Sequence, residues 1–236
     1  MAYDIPAVAA AMDQKILQLE HITTNLANAA TPGFKAEHLL VMNALLEESK
    51  AGDYTTPLTS LIVDFGQGIS QKTDNPLDVS LQGDGFFVVQ TKEGLAYTRK
   101  GDFTVNSRSQ MVTQSGYPVV GEGGPIVLGN GKIHINEDGS VFVDEGQVGK
   151  LKIVDFVNRQ TLRNIGGGLY LDEGEAGIKK VDKPHVSSGS IELSNVNVIS
   201  EMAEMINIHR TFETYQKIIQ QLTEQDKLST NRVGKV

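Results

Sequence analysis

Both ends of this chain carry long runs of apolar residues at helical spacing, and nearly everything between them is β-like sequence broken by glycine. Near the start the positions are Ile5, Val8, Met12, Ile16, Leu19, Ile22 and Leu26, each three or four residues from the last. From Val198 they run through Met202, Met205, Ile208, Phe212, Tyr215, Ile219 and Leu222, a heptad-like seam with one slip near Met205. An apolar stripe on a helix has to be covered, and two stripes at opposite chain ends find either each other or another molecule. The pattern points to a part of an assembly rather than a self-contained enzyme.

The first stripe predicts a helix over 3–30, ended by Thr31-Pro32-Gly33, because proline pushes its predecessor out of the helical region. Leu39, Met42, Leu45 and Leu46 predict a further helical stretch over 35–48, and 51–64 reads as a mixed connector. All of the 24 glycines except Gly33, Gly52 and Gly234 then fall between Gly66 and Gly189. Strands are expected at Leu77–Leu81, Phe86–Thr91, Leu95–Thr98, Phe103–Val105, Met111–Thr113, Pro118–Val120, Ile126–Leu128, Lys132–Ile135, Val141–Val143, Leu151–Val157 and Leu169–Leu171. Gly83-Asp84-Gly85, Glu93-Gly94, Gly129-Asn130-Gly131 and Asp138-Gly139 supply turns between them. Short strands with close turns argue for an antiparallel, partly rolled sheet. Ser187–Ser194 reads as a polar bridge, Asn197 as the N-cap of a last helix reaching about Leu228, and Glu201 as an acid placed for its positive end. The fold expected is α+β. Its N- and C-terminal helices pair into a coiled-coil-like inner domain (1–34 and 190–236), followed by a connector (35–65) and a central antiparallel β-rich outer domain (66–189).

Charge and composition remove several classes. With 21 basic against 29 acidic residues the net charge is -8, and no basic run exceeds a pair such as Lys179-Lys180, which disfavours nucleic acid and anionic membrane. Cysteine is absent, so disulfides, thiolate metal sites and cysteine nucleophiles are excluded. No apolar run reaches the length of a membrane span, and Met1-Ala2-Tyr3-Asp4 lacks a basic leader, so no cleaved signal peptide and no membrane insertion are expected. His21, His38, His134, His185 and His209 are scattered, without metal-ligand spacing. Gly166-Gly167-Gly168 and Gly121-Glu122-Gly123-Gly124 lack the lysine of a phosphate loop, and Asn136-Glu137-Asp138-Gly139 lacks the acidic ladder of a calcium loop. Asp84, Asp102 and Asp138 stand beside glycine, where aspartate is turn chemistry first. The sequence offers no catalytic residue, no cofactor and no metal.

Asn25-Leu26-Ala27-Asn28-Ala29-Ala30-Thr31-Pro32-Gly33-Phe34-Lys35 resembles the N-terminal signature of the bacterial flagellar axial proteins, the rod, hook and hook-associated subunits. Ser188-Gly189-Ser190-Ile191-Glu192-Leu193-Ser194-Asn195-Val196-Asn197, with Arg210, Phe212 and Glu213 beyond it, resembles their C-terminal signature. Between them Asn75-Pro76-Leu77-Asp78-Val79, Gly83-Asp84-Gly85-Phe86-Phe87, Tyr97-Thr98-Arg99-Lys100-Gly101 and Gly121-Glu122-Gly123-Gly124-Pro125-Ile126 are similar to the rod branch, and most like its proximal, F-type members. Thr24, Ala10-Ala11 and His209 depart from the usual residues.

The resemblance implies a structural subunit of the flagellar basal-body rod. Such a subunit is passed unfolded through the flagellar type III export apparatus and assembles in the periplasm with copies of itself and other rod subunits into a hollow, torque-bearing shaft. Subunit contacts are expected at Met12, Ile16, Leu19, Ile22, Leu26, Asn25, Asn28, Phe34, Asn195, Asn197, Met202, Met205, Phe212, Tyr215, Ile219 and Leu222. For the four asparagines there are two readings, amides fixing register between molecules or ordinary caps and turn closures. The rivals are a distal-rod or hook-type subunit and an extracellular β-rich binding module with oligomerisation helices.

Overall fold

The computed structural model describes residues 5–42, 58–181 and 183–233. They fall into two compact units: the described parts of 1–27, 37–62 and 197–236, and those of 28–36 and 63–196. Among the described residues the chain is α+β, with two long helices and a large antiparallel β-rich body.

In the first unit, helix α1 spans Ile5–Ala27 and helix α2 spans Val198–Val233, a little beyond the expected end at Leu228. Asn197 caps α2, its Oδ1 accepting from the Ser200 amide at 3.2 Å. At 3.6 residues per turn, Glu201, Ile208 and Leu222 lie along one side of α2, and all three are buried. Ile199, Met202 and Ile206 lie on the opposite side and are exposed.

Over the described part of 35–48 the expected helix is not there. Glu37–Met42 is a strand, hydrogen-bonded to Leu58–Val63 in a two-stranded sheet, while Leu45 and Leu46 lie outside the described residues. The cause is Asn25. Its Oδ1 accepts from the Glu37 amide at 2.9 Å and its Nδ2 donates to the Glu37 carbonyl at 2.8 Å, so one side chain does for Glu37 what a neighbouring strand would. That two-bond grip holds Glu37 extended, and a three-residue spacing of leucines cannot outweigh it.

The second unit is organised around a six-stranded antiparallel sheet in the order Arg163–Gly166, Leu169–Leu171, Gly94–Thr98, Phe86–Thr91, Ile153–Phe156, Ile178–Lys180. Its central strands alternate between two cores. Phe86, Val88, Tyr97, Val154, Phe156 and Tyr170 belong to one cluster; Phe87, Val89, Ala96, Ile153, Leu169 and Leu171 belong to the other. That is why Phe86–Val89 is an unbroken apolar run, for a strand covered on both faces has no polar side. Edge-to-face rings stiffen the first cluster, with Tyr97 4.7 Å from Phe156 and Phe65 5.5 Å from Phe86.

Smaller sheets frame this body. Val79–Gln82 pairs with His185–Ser188, and Ser70–Lys72 with Ser190–Glu192, so the expected polar bridge at Ser187–Ser194 is largely strand. Ile133–Ile135, Ser140–Val143 and Gly146–Lys150 form a meander turned at Asp138-Gly139, where Gly139 has φ +83° and the Asp138 carboxylate accepts from the Ser140 amide and hydroxyl. Ile126–Leu128 is no strand; a bridge from Val127 to Gln110 and single backbone bonds to Ser109, Met111 and Val119 hold it in place.

Gly101 lies where two backbones touch: the Val79 amide donates to the Gly101 carbonyl at 2.9 Å, and a Cβ on Gly101 would collide with the Val79 carbonyl. Gly101→Ala is expected to destabilise the second unit by more than about 2 kcal/mol, whereas Gly123→Ala, where an added Cβ meets open space, stays within about 0.5 kcal/mol. Urea unfolding followed by tyrosine fluorescence measures both.

Candidate functional site

Six of the buried polar residues form two clasps, Asn25 with Glu37 and Glu201 in the first unit and Lys35 with Arg99 and Glu192 in the second. In the first unit the clasp is Asn25, which is 1% exposed in the last turns of α1. Besides gripping Glu37, its Nδ2 donates to the Glu201 carboxylate at 3.1 Å, in the first turn of α2. His21 Nδ1 lies 3.6 Å from the Glu37 carboxylate. One amide therefore ties helix, strand and helix, and its fixed set of donors and acceptors permits one register among the three.

In the second unit the clasp is Glu192, at the end of the strand Ser190–Glu192, with a side chain wholly shut from solvent. Its Oε1 accepts from Lys35 Nζ at 2.6 Å and from the Gly68 amide at 2.9 Å. Its Oε2 faces Arg99 Nη1 at 3.4 Å, and its backbone carbonyl accepts from the Gly33 amide at 2.7 Å. Lys35, equally buried, also donates to the Gly66 carbonyl at 2.6 Å. Arg99 donates to the Gly83 carbonyl at 2.8 Å and lies over the Phe86 ring at 5.5 Å, while its buried Nε has no hydrogen-bond partner among the described residues. Gly33 completes the fit, since its φ of +63° and its approach to the Arg99 backbone leave no room for a Cβ.

Burial drives the pKa of both Lys35 and Arg99 down, and the Glu192 carboxylate opposes that shift in each. Two cations around one anion would leave an excess of positive charge. Asp84 and Asp155 offset it nearby, held by Arg159, which is bidentate on Asp155 at 2.9 and 3.0 Å and reaches Asp84 at 2.9 Å.

The expected contact residues divide by exposure. Ile22, Asn25, Phe34 and Leu222 are buried, while Met12, Leu19, Leu26, Asn28, Asn195, Met205, Phe212, Tyr215 and Ile219 are half-buried. Ile16, Asn197 and Met202 are exposed. Each expected asparagine has a partner within its own unit: Asn28 Oδ1 accepts from the Thr31 hydroxyl at 3.2 Å, and Asn195 takes the Ala36 amide while donating to the Asp64 and Gly66 carbonyls. Lys35, Arg99 and Glu192 stand inside the quoted motifs without being singled out as site residues. The signal that marks them is a charge set between apolar neighbours, Phe34-Lys35-Ala36 and Ile191-Glu192-Leu193.

These contacts position and bind; none presents a nucleophile or a general base to a cleft. Among the described residues no cluster of histidine and carboxylate fits a metal ion, and no helix is long and apolar enough to cross a membrane.

Two family models match the chain: the flagellar hook protein FlgE/F/G D1 domain over residues 80–143 and the flagellar basal body rod FlgEFG protein C-terminal region over 187–231. The flagellar basal-body rod protein FlgF of Escherichia coli is 35% identical over 93% of this chain and 93% of its own length. Those of Salmonella typhimurium and Caulobacter vibrioides are 34% and 31% identical, covering 96% and 93% of both chains. The chain belongs to the flagellar basal-body rod family, F-type. It is a structural subunit of the basal body rather than an enzyme. The second family match begins within the strand that pairs with Val79–Gln82, so this region carries the clasp's carboxylate, Glu192, as well as most of α2.

Glu192→Gln strands two buried cations and is expected to cost about 3–5 kcal/mol in thermal or urea unfolding of the second unit, whereas Glu192→Leu combined with Lys35→Met costs less than the sum of the single changes. Acid should act through Asp155. Burial works to raise its pKa, the Arg159 bonds draw it down, and the balance lies below the ordinary aspartate value. A depressed carboxyl contributes stability that is present above the unfolded pKa and lost as pH falls through the folded one. Stability of the second unit therefore declines below pH ~4, and Asp155→Asn flattens that decline while lowering stability at neutral pH; urea midpoints across pH measure it.

Proposed function

We propose that the chain is a subunit of the proximal rod, in which α1 and α2 pair along their apolar stripes in a coiled-coil-like manner. Their remaining apolar surface is then covered by helices of neighbouring molecules, copies of itself and other rod subunits. The observation that carries this reading is the second apolar face of α2. Ile199, Met202 and Ile206 are 82%, 54% and 53% exposed, on the side away from buried Ile208 and Leu222. On α1, Ile16 and Leu17 are likewise open, at 41% and 39%. A protein that works alone seldom leaves such faces to water, and a subunit packed among others has a use for them.

In this reading the helical unit supplies the seams along which the shaft is built. The subunit passes through the type III export apparatus and functions in the periplasm. A chain without cysteine suits that route, because nothing in it depends on oxidation. Helices whose stability comes mainly from packing are also readily kept unfolded before assembly. Torque is carried because each molecule is held along several seams at once, so no single contact has to bear the load.

Ile206→Asp and Ile16→Asp are expected to exclude the protein from basal bodies purified from a complemented null strain, while thermal unfolding of the second unit stays at the wild-type midpoint. Normal incorporation of both variants contradicts helix packing as the source of cohesion.

A further inference from the structure

Asparagine is a chemically labile residue, because its side-chain amide carbon stands within reach of the backbone nitrogen that follows it. Two things restrain the reaction: a bulky following residue, and hydrogen bonds that hold the side-chain amide in place. The chain has one Asn-Gly step, Asn130-Gly131. Residues 129–131 are all exposed, between the bridge at Val127 and the strand Ile133–Ile135. Among the described residues neither the Asn130 side chain nor the Gly131 amide makes a hydrogen bond. Both restraints are missing here.

Other steps of similar sequence are tied down. At Asn106-Ser107 the Asn106 Oδ1 accepts from the Arg108 and Gln110 amides at 2.9 and 3.0 Å, and its Nδ2 donates to the Gln110 side chain at 3.1 Å. In the two Asp-Gly steps the Asp138 carboxylate is held by Ser140 and the Asp84 carboxylate by Arg159. The fold also explains why a glycine follows Asn130. A Cβ on Gly131 would run into the Asp144 carboxylate and the Val143 side chain, and the same carboxylate accepts from the Lys132 amide at 2.9 Å. The turn needs its small residue, and that residue leaves Asn130 unguarded.

We propose that Asn130 is a site of spontaneous deamidation, with the Gly131 backbone nitrogen as the nucleophile. The nitrogen gives up its proton and attacks the Asn130 Cγ. A C–N bond forms, the Cγ–Nδ2 bond breaks, and the amide nitrogen leaves as ammonia with that proton. Water then opens the resulting succinimide at either carbonyl, giving aspartate at one and isoaspartate at the other. One water enters and one ammonia departs, so no oxidant and no second protein takes part. Each event adds one carboxylate beside Asp144 and takes the net charge of -8 one unit lower. The turn into Ile133–Ile135 grows more acidic with time, and the converted fraction records how long the molecules have existed. The reaction is independent of what the chain assembles with.

The test holds purified full-length protein at physiological temperature in mildly alkaline buffer and samples it over days. Trypsin, used in mildly acidic buffer so that digestion adds no conversion, releases residues 109–132, where Asn130 is the one asparagine, and residues 101–108, where Asn106 is. Mass spectrometry with electron-transfer fragmentation distinguishes asparagine, aspartate and isoaspartate. Acid is expected to accumulate at position 130, with isoaspartate in excess, while Asn106 keeps its amide in the folded protein and begins to convert in urea. Asn130→Gln, which would have to close a larger ring, keeps its amide, and circular dichroism confirms that it folds. Three results overturn the proposal: Asn130 unchanged over a period in which a free peptide of residues 126–135 converts, aspartate formed without isoaspartate, or Asn106 converting as fast as Asn130 in the folded protein.

Discussion

The β-rich unit depends on one carboxylate. Glu192 sits without solvent among a lysine, an arginine and a backbone amide drawn from three distant parts of the chain. In a low-dielectric interior such a group is costly unless every lone pair is engaged, and strongly destabilising if one partner is lost. The gain is specificity. Hydrophobic burial would hold Phe86 or Phe87 in several similar arrangements, but the Glu192 oxygens accept one placement of Lys35, Gly68 and Arg99. The segments at 28–36 and 190–196 are therefore parts of the β-body, fastened to it by charge.

Asn25 does the same for the helical unit with a neutral group. Its amide satisfies both backbone groups of Glu37 and one oxygen of Glu201, so a slip of either helix would leave buried donors and acceptors open. Both clasps lie at the places where the chain passes from one unit to the other.

The helices were legible in the sequence because a three-four periodicity sustained over many residues admits no other element. Phe86–Thr91 and Leu169–Leu171 were legible because their apolar runs are bounded by turns. Ser70–Lys72, Gly146–Lys150 and Ile178–Lys180 were not, since they are largely exposed strands whose conformation is imposed by a partner and leaves no alternation in their own residues. Glu37–Met42 was misread as helix because the grip that straightens it comes from a side chain twelve residues earlier. Of the site, Asn25, Asn195 and Asn197 stood out by residue type and motif. Lys35, Arg99 and Glu192 did not, because a charged residue in a sequence is ordinarily solvated, and only the fold reveals that these three share one dry pocket.

Native-state hydrogen exchange on the amides of Gly33 and Gly68 addresses the charge clasp most directly. Both donate to Glu192, and both sit in connecting segments rather than in the central sheet. If Glu192 fastens those segments into the β-body, the two amides exchange only when the whole unit unfolds, with the same denaturant dependence as the Val88 amide in the central strand. Exchange at the rate of an open loop, independent of denaturant, would mean that the clasp is decoration on a body already complete without it.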